Sequence, residues 1–155
     1  MAKTVADVMS HDPIMVSPQT PIKEAIKILA ERRISGLPVV DDAGKLVGVI
    51  SETDLLWQET GVEPPVYIMF LDSVIYLENP ARHDKELHKA LGQTVAEVMS
   101  GEPVTVKPDQ PLRKAAKLMQ EQSIRRLAVT NETGKVIGIL TPGDIVRAMA
   151  AELEQ

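Results

Sequence analysis

The chain carries the same pattern twice. Thr4-Val5-Ala6-Asp7-Val8-Met9-Ser10 returns as Thr94-Val95-Ala96-Glu97-Val98-Met99-Ser100. The offset of 90 residues (94 − 4) then holds without a gap to Leu56 and Val146. About 20 of the 53 aligned positions are identical, far above chance for unrelated segments. Pro13, Pro18 and Pro21 match Pro103, Pro108 and Pro111, Gly48 matches Gly138, and Asp54 matches Asp144. Two copies of one unit are expected to pack about a pseudo-twofold axis, so a site at their junction should occur twice.

Each copy has the same local grammar. Thr4-x-x-Asp7 and Thr94-x-x-Glu97 have the spacing of capping boxes that open a short helix. Ile14-Met15-Val16 and Val104-Thr105-Val106 are short apolar runs bracketed by prolines, which predicts strands. Pro21 and Pro111 suit the first turn of a helix, where a missing N–H costs nothing. Ile22, Ala25, Ile26, Leu29 and Ala30 follow at helical spacing. Leu37–Val40 predicts a second strand, Asp41–Gly44 a turn with glycine available for positive φ, and Leu46–Ile50 a buried third strand. Ser51 starts a further helix. The order is strand, helix, strand, strand, helix, repeated: an α+β fold of two tandem β-α-β-β-α units. The expected division is 1–56 for the first repeat, 57–93 for an inserted helical segment, and 94–155 for the second repeat.

Composition removes several classes of function. The 155 residues contain no cysteine, so disulfides, thiolate metal sites and cysteine nucleophiles are excluded. A formal charge of −5 disfavours nonspecific binding to nucleic acid or anionic lipid, which needs a broad basic surface. No apolar run approaches the roughly 20 residues of a membrane span. The N-terminus shows no apolar signal core, so a cytoplasmic location is expected. No Ser-His-Asp signature, glycine-rich phosphate loop or zinc motif is present, and no catalytic residue is assigned.

The pattern resembles the CBS domain, named for cystathionine β-synthase. The resemblance is carried by Ile34-Ser35-Gly36-Leu37-Pro38-Val39-Val40-Asp41 and Gly48-Val49-Ile50-Ser51-Glu52-Thr53-Asp54. In the second copy it is carried by Ile124-Arg125-Arg126-Leu127-Ala128-Val129 and Gly138-Ile139-Leu140-Thr141-Pro142-Gly143-Asp144. Two such units in tandem are similar to a Bateman module. That resemblance implies a regulatory module that binds an adenosine-containing ligand (AMP, ADP, ATP or S-adenosylmethionine) between the repeats. It implies no required cofactor, a homodimer, and a regulated protein partner. The alternative is a ligand-independent dimerisation or protein-interaction module.

The resemblance also implies the site. Asp54 and Asp144 would accept hydrogen bonds from the ribose diol, a task for which a carboxylate has the acceptors. Ser51, Thr53, Thr141 and Gly143 belong to the same motif. Ser51-x-x-Asp54 and Thr141-x-x-Asp144 are equally capping boxes, and Pro142 stands where a first helical residue should. The two roles are compatible, since a capped helix N-terminus also favours anions. Arg125 and Arg126 would reach phosphate through their guanidinium forks. The first copy has Ser35 and Gly36 at those positions, so the two sites are expected to differ. The adenine would lie among Ile14, Ile34, Leu37 and Pro38, with Val104, Ile124, Leu127 and Ala128; by composition alone these are core residues.

Residues 57–93 stand outside the repeat and hold all four aromatics: Trp57, Tyr67, Phe70 and Tyr76. Val66 to Leu77 is apolar except for Asp72 and Ser73, which predicts an apolar helix opening at Pro65 and ending at Glu78-Asn79-Pro80. Such a helix would cover the repeats and offer a dimer or partner surface. A polar helix of about ten residues should follow. Its His83 and His88 are five apart, which favours a solvated face over a metal site.

Overall fold

A computed structural model describes residues 3–61, 67–70, 73–76, 80–101 and 103–154. The elements in order are α1 (Val5–Val8), β1 (Ser10–His11), α2 (Ile22–Arg32), β2 (Gly36–Val40), β3 (Leu46–Ser51) and α3 (Glu52–Thr60). The segment between the repeats contributes β4 (Tyr67–Phe70), β5 (Ser73–Tyr76) and α4 (Pro80–Leu91). Then come α5 (Val95–Val98), β6 (Thr105–Val106), α6 (Leu112–Gln122), β7 (Leu127–Thr130), β8 (Val136–Leu140) and α7 (Pro142–Leu153). Among the described residues no helix is long and apolar enough to cross a membrane.

The first two helices of each copy recur at the offset of the repeat with the same ends: Val5–Val8 with Val95–Val98, and Ile22–Arg32 with Leu112–Gln122. Ile22, Ala25 and Leu29 form the buried face of α2; Ala115 and Met119 occupy the equivalent face of α6. Ile26 and Ala30 share the helical spacing but are exposed. Pro21 and Pro111 are N-caps, one position ahead of the first turn expected for them. Both helices end on a left-handed residue, Arg33 at φ 54° and Ser123 at φ 53°. The β2–β3 and β7–β8 turns are built alike. Asp41 Oδ1 accepts the N–H groups of Ala43 and Lys45, and Asn131 Oδ1 those of Thr133 and Lys135. Gly44 and Gly134 then take φ of 83° and 85°, which glycine adopts without a Cβ penalty. The first strand of each copy is shorter than its apolar run. Only Val16 pairs, as a parallel bridge to Val39, and only Thr105–Val106 forms β6.

The chain forms two compact units, each assembled from both repeats. One comprises Met1–Ser17, Pro38–Val49 and Gly101–Gln155; the other comprises Pro18–Leu37 and Ile50–Ser100. The first unit holds a four-stranded sheet in the order β1-β8-β7-β6. β1 pairs antiparallel with β8 through Ser10↔Ile139 and His11↔Gly138. β7 runs antiparallel to β8 and parallel to β6. Its core gathers Val5 and Met9 from the first repeat with Val106, Ala115, Met119, Leu127, Val129 and Leu140 from the second. The N-terminal arm is fixed by backbone bonds: Val5 N–H to the Gln110 carbonyl and Ala6 N–H to that of Pro108, both 2.9 Å.

The second unit uses the reciprocal arrangement. Val95 N–H donates to the Thr20 carbonyl and Ala96 N–H to that of Pro18, both 2.9 Å. α5, from the second repeat, thereby lies on α2 of the first, with Val95 and Val98 fully buried. The capping box expected at Thr94 is replaced: the Thr94 hydroxyl donates to Glu97 Oε1 at 3.1 Å and no side-chain cap forms. At the equivalent place Thr4 N–H does donate to Asp7 Oδ2, at 2.8 Å.

The expected apolar helix between the repeats is a correction. Tyr67–Phe70 and Ser73–Tyr76 form an antiparallel pair, with Tyr67 opposite Tyr76 and Phe70 opposite Ser73. Residues apolar all along can satisfy a strand as well as a helix, and tyrosine, isoleucine, phenylalanine and valine favour the strand. Pro65, Glu78 and Asn79, expected at the ends of that helix, lie outside the described residues. Pro80 opens α4, the polar helix expected to follow. The His83 side chain also lies outside the described residues.

Candidate functional site

Asp54 and Asp144 hold equivalent positions, each as the third residue of a helix. The strands β3 and β8 run into Ser51 and Thr141, which keep extended backbones and become N-caps. Their side chains receive the N–H of Asp54 and Asp144, and each aspartate accepts the cap's own N–H in return: 3.0 Å from Ser51 and 2.9 Å from Thr141. These reciprocal bonds satisfy donors that a helix start leaves unpaired. Pro142 is the first residue of α7, as its sequence position suggested. Both aspartates are buried, at 7% relative exposure.

A serine from the other repeat meets each aspartate. Ser100 Oγ donates to Asp54 Oδ1 at 2.9 Å, and Ser10 Oγ to Asp144 Oδ1 at 3.5 Å. These serines close the two copies of Val-Met-Ser. The arm exchange that buries Val5 and Val95 therefore also brings a hydroxyl to each carboxylate.

The cations differ in origin. Asp144 receives Arg147 Nη2 at 2.5 Å, from the same helix and with 72% of the arginine side chain exposed. Asp54 receives Lys89 Nζ at 2.6 Å, from α4, with 22% of the lysine side chain exposed. Lys89 has no counterpart in the first repeat, and Arg147 corresponds to Trp57. Lys89 Nζ also donates to the Val98 carbonyl at 2.9 Å and to Ser100 Oγ at 3.3 Å. Gln58 on α3 holds the end of α4 through the carbonyls of Lys89 and Gly92. Gly92 allows that close fit. A Cβ there would lie 2.5 Å from the His88 carbonyl oxygen and 2.7 Å from Val98 Cγ2.

The other expected site residues divide between the units. Ile34, Ser35, Gly36, Leu37, Ser51 and Thr53 accompany Asp54; Ile14, Pro38, Val104, Ile124, Arg125, Arg126, Leu127, Ala128, Thr141 and Gly143 accompany Asp144. Ser51 and Thr53 share a hydroxyl–hydroxyl bond of 2.9 Å, and the Ser35 carbonyl accepts the Glu52 N–H at 3.0 Å. Ile14 and Val104, at matched positions, are exposed. Leu37 and Leu127 are fully buried, and Ala128 nearly so, paired with Ile139 on β8 and Thr105 on β6. Arg125 is exposed just before β7, and Arg126 is half-buried. No group of three or more His, Asp or Glu side chains able to hold a metal ion is found among the described residues.

The CBS domain family model matches residues 5–58 and 95–151. The chain belongs to the CBS domain family. It is 36% identical over 156 residues to the CBS domain-containing protein CBSX2, chloroplastic, of Arabidopsis thaliana, covering 94% of this chain. It spans 63% of that relative's length. It is 32% identical to the uncharacterized protein MJ1426 of Methanocaldococcus jannaschii, covering 94% of this chain and 90% of the relative. Among solved structures, CBSX2 in complex with AMP superposes with a TM-score of 0.81 at 36% identity, covering 96% of this chain and 97% of that one. The CBS domain pair of protein MJ0100, in complex with 5′-methylthioadenosine and S-adenosyl-L-methionine, does so at 0.71 and 27% identity, covering 98% and 99%. The chain is thus a pair of tandem CBS repeats.

Proposed function

We propose that this CBS pair is a regulatory module that binds an adenosine-containing ligand, with Asp144 and Asp54 as the ribose acceptors. The observation that carries the reading is the buried aspartate at each capped helix start, with a serine of the opposite repeat on its carboxylate. A carboxylate whose orientation is set by a capping box presents its remaining lone pairs in a fixed direction, which suits a rigid vicinal diol. The two ligand complexes among the similar structures support the same chemistry. Arg125 and Arg126 are the proposed phosphate contacts beside the Asp144 motif. Ile14 and Val104 offer exposed apolar surface for the base. Leu37 and Leu127 are fully buried, backbone included, so they would support the site from the core without touching the ligand. The module acts by binding, passing a change in conformational population to a protein partner; that requires a ligand affinity that differs between the populated states.

The test is titration with AMP, ATP and S-adenosylmethionine, read by thermal shift and calorimetry. Ligand at one hundred times Kd should stabilise the fold by about 2.7 kcal/mol. Asp144→Ala should remove that shift. No shift with any of the three would favour the second reading, an interaction module without a ligand. One observation favours that alternative. α7 leaves Val146, Met149 and Leu153 exposed along one side, and α3 leaves Leu56 exposed at the position matching Val146. A second copy of the chain is the occupant proposed for those residues, and sedimentation at micromolar concentration would show a dimer.

A further inference from the structure

The two carboxylates are not equally available. Asp54 Oδ1 accepts Lys89 Nζ and Ser100 Oγ, while Oδ2 accepts the Ser51 N–H and the Ser51 hydroxyl at 3.1 Å. Four bonds use the four acceptor sites of an ionised carboxylate. Lys89 is likewise complete, because its three donors meet Asp54, the Val98 carbonyl and Ser100. It has no donor left for a phosphate. Asp144 is different. Among the described residues its Oδ2 accepts only the Thr141 N–H, and Oδ1 has a long bond from Ser10 and one from Arg147, a solvent-exposed side chain on the same helix. An arginine that reaches in from water can swing back to water. Lys89 cannot do so without giving up three bonds, on a helix tied to α3 by Gln58.

We propose that Lys89 is an internal occupant of the Asp54 site, standing where ribose hydroxyls would bind. It makes the Asp54 site latent and the Asp144 site the one that takes ligand first. The site opens only when the end of α4 draws the ammonium off Asp54. α4, which lies outside the repeat, is then the element that would report occupancy of the second site. The proposal rests on the nucleotide reading above and adds to it which site is filled and what holds the other shut.

The experiment is calorimetric stoichiometry with AMP on the full chain. The wild type should bind about one equivalent and Lys89→Met about two, each linked to its own aspartate. Lys89→Met with Asp54→Ala should return to about one, and Lys89→Met with Asp144→Ala should keep one. Two equivalents in the wild type, or one in Lys89→Met lost with Asp144→Ala, would overturn the latent site while leaving the nucleotide reading intact. No binding by either protein would overturn both. A second measurement does not depend on the variant folding: amine acylation of the wild type, followed by mass spectrometry. Lys89 should be modified several-fold more slowly than the exposed Lys117, and Asp54→Asn should abolish that protection. Equal rates for Lys89 and Lys117 in the wild type would overturn the proposal.

Discussion

Asp7, Asp54 and Asp144 occupy the same place in three helix starts, yet only two of them are buried. Asp7 is exposed, so its carboxylate keeps its hydration while it accepts the Thr4 N–H at 2.8 Å. That bond holds its carboxyl below the ordinary value of 3.8, with smaller help from the Thr4 side chain and the Lys3 charge. Since the folded state favours the charged form, the stabilisation is present above 3.8 and is lost as the pH falls through the lowered folded value. Asp7→Asn, an uncharged isostere, should therefore be less stable than the wild type at neutral pH. The difference in urea midpoint should close as the solution is acidified; a constant difference at all pH values would assign the loss to packing instead. The aspartates were legible in the sequence because a capping box and the family motif share one spacing; the cap forms at both, and the ribose contact is the proposal made above. Ser10 and Ser100 were visible as the end of a repeated heptad, but nothing in the spacing said whose carboxylate each would meet. Lys89 was not legible at all. It lies outside the repeat, and a lysine on a polar helix carries no mark that distinguishes burial against Asp54 from exposure to water.

At the scale of elements, the sheet depends on a close approach that only glycine permits. On β8, a Cβ at Gly138 would fall inside contact distance of Met9 Sδ and 3.0 Å from both Met9 Cγ and the Ser10 carbonyl oxygen. The sulfur can move; the carbonyl belongs to β1, whose pairing with β8 runs through Ser10 and His11. Gly138→Ala should cost about 1–3 kcal/mol in chemical denaturation, as overpacking commonly does. Adding Met9→Ala should recover part of that cost, and strictly additive losses in the double mutant would show that the two positions do not meet. Elements defined by caps, prolines and turns were readable: α2 and α6, both Asx-type turns, and the helices after Ser51 and Thr141. The pair β4 and β5 was not. Its sequence alternates neither at period two nor at 3.6, because almost every position is apolar, and length alone then argued wrongly for a helix. The short first strands failed for a related reason. Their prolines limit pairing, so a run of three apolar residues yields one bridge at Val16 and two residues in β6.

At the scale of the whole molecule, the repeat reported in the sequence is not the unit that packs. The offset of 90 residues identifies two copies, but sequence identity between copies says nothing about which copy an arm lies on. Val5 and Met9 belong to the first copy and are buried among Val106, Ala115, Met119, Leu127, Val129 and Leu140 of the second. Val95 and Val98, from the second copy, belong to the unit of α2. Cutting the chain between the repeats therefore leaves each half without an arm that completes a core. Burying a valine or methionine side chain contributes about 1.5–3 kcal/mol, so the arm of Val5 and Met9 is comparable with much of the net stability of a small domain. Residues 94–155 expressed alone should bind a hydrophobic dye and lack a cooperative unfolding transition. Adding residues 1–93 in trans should restore the transition, and Val5→Ala in that fragment should weaken the restoration, because the missing methyl groups leave a cavity in the core they would have filled. A lone 94–155 fragment that unfolds cooperatively at the midpoint of the full chain would mean that the arm lies on a finished surface. The serine it delivers to Asp144 would then be an ornament of the fold, with no part in holding the site together.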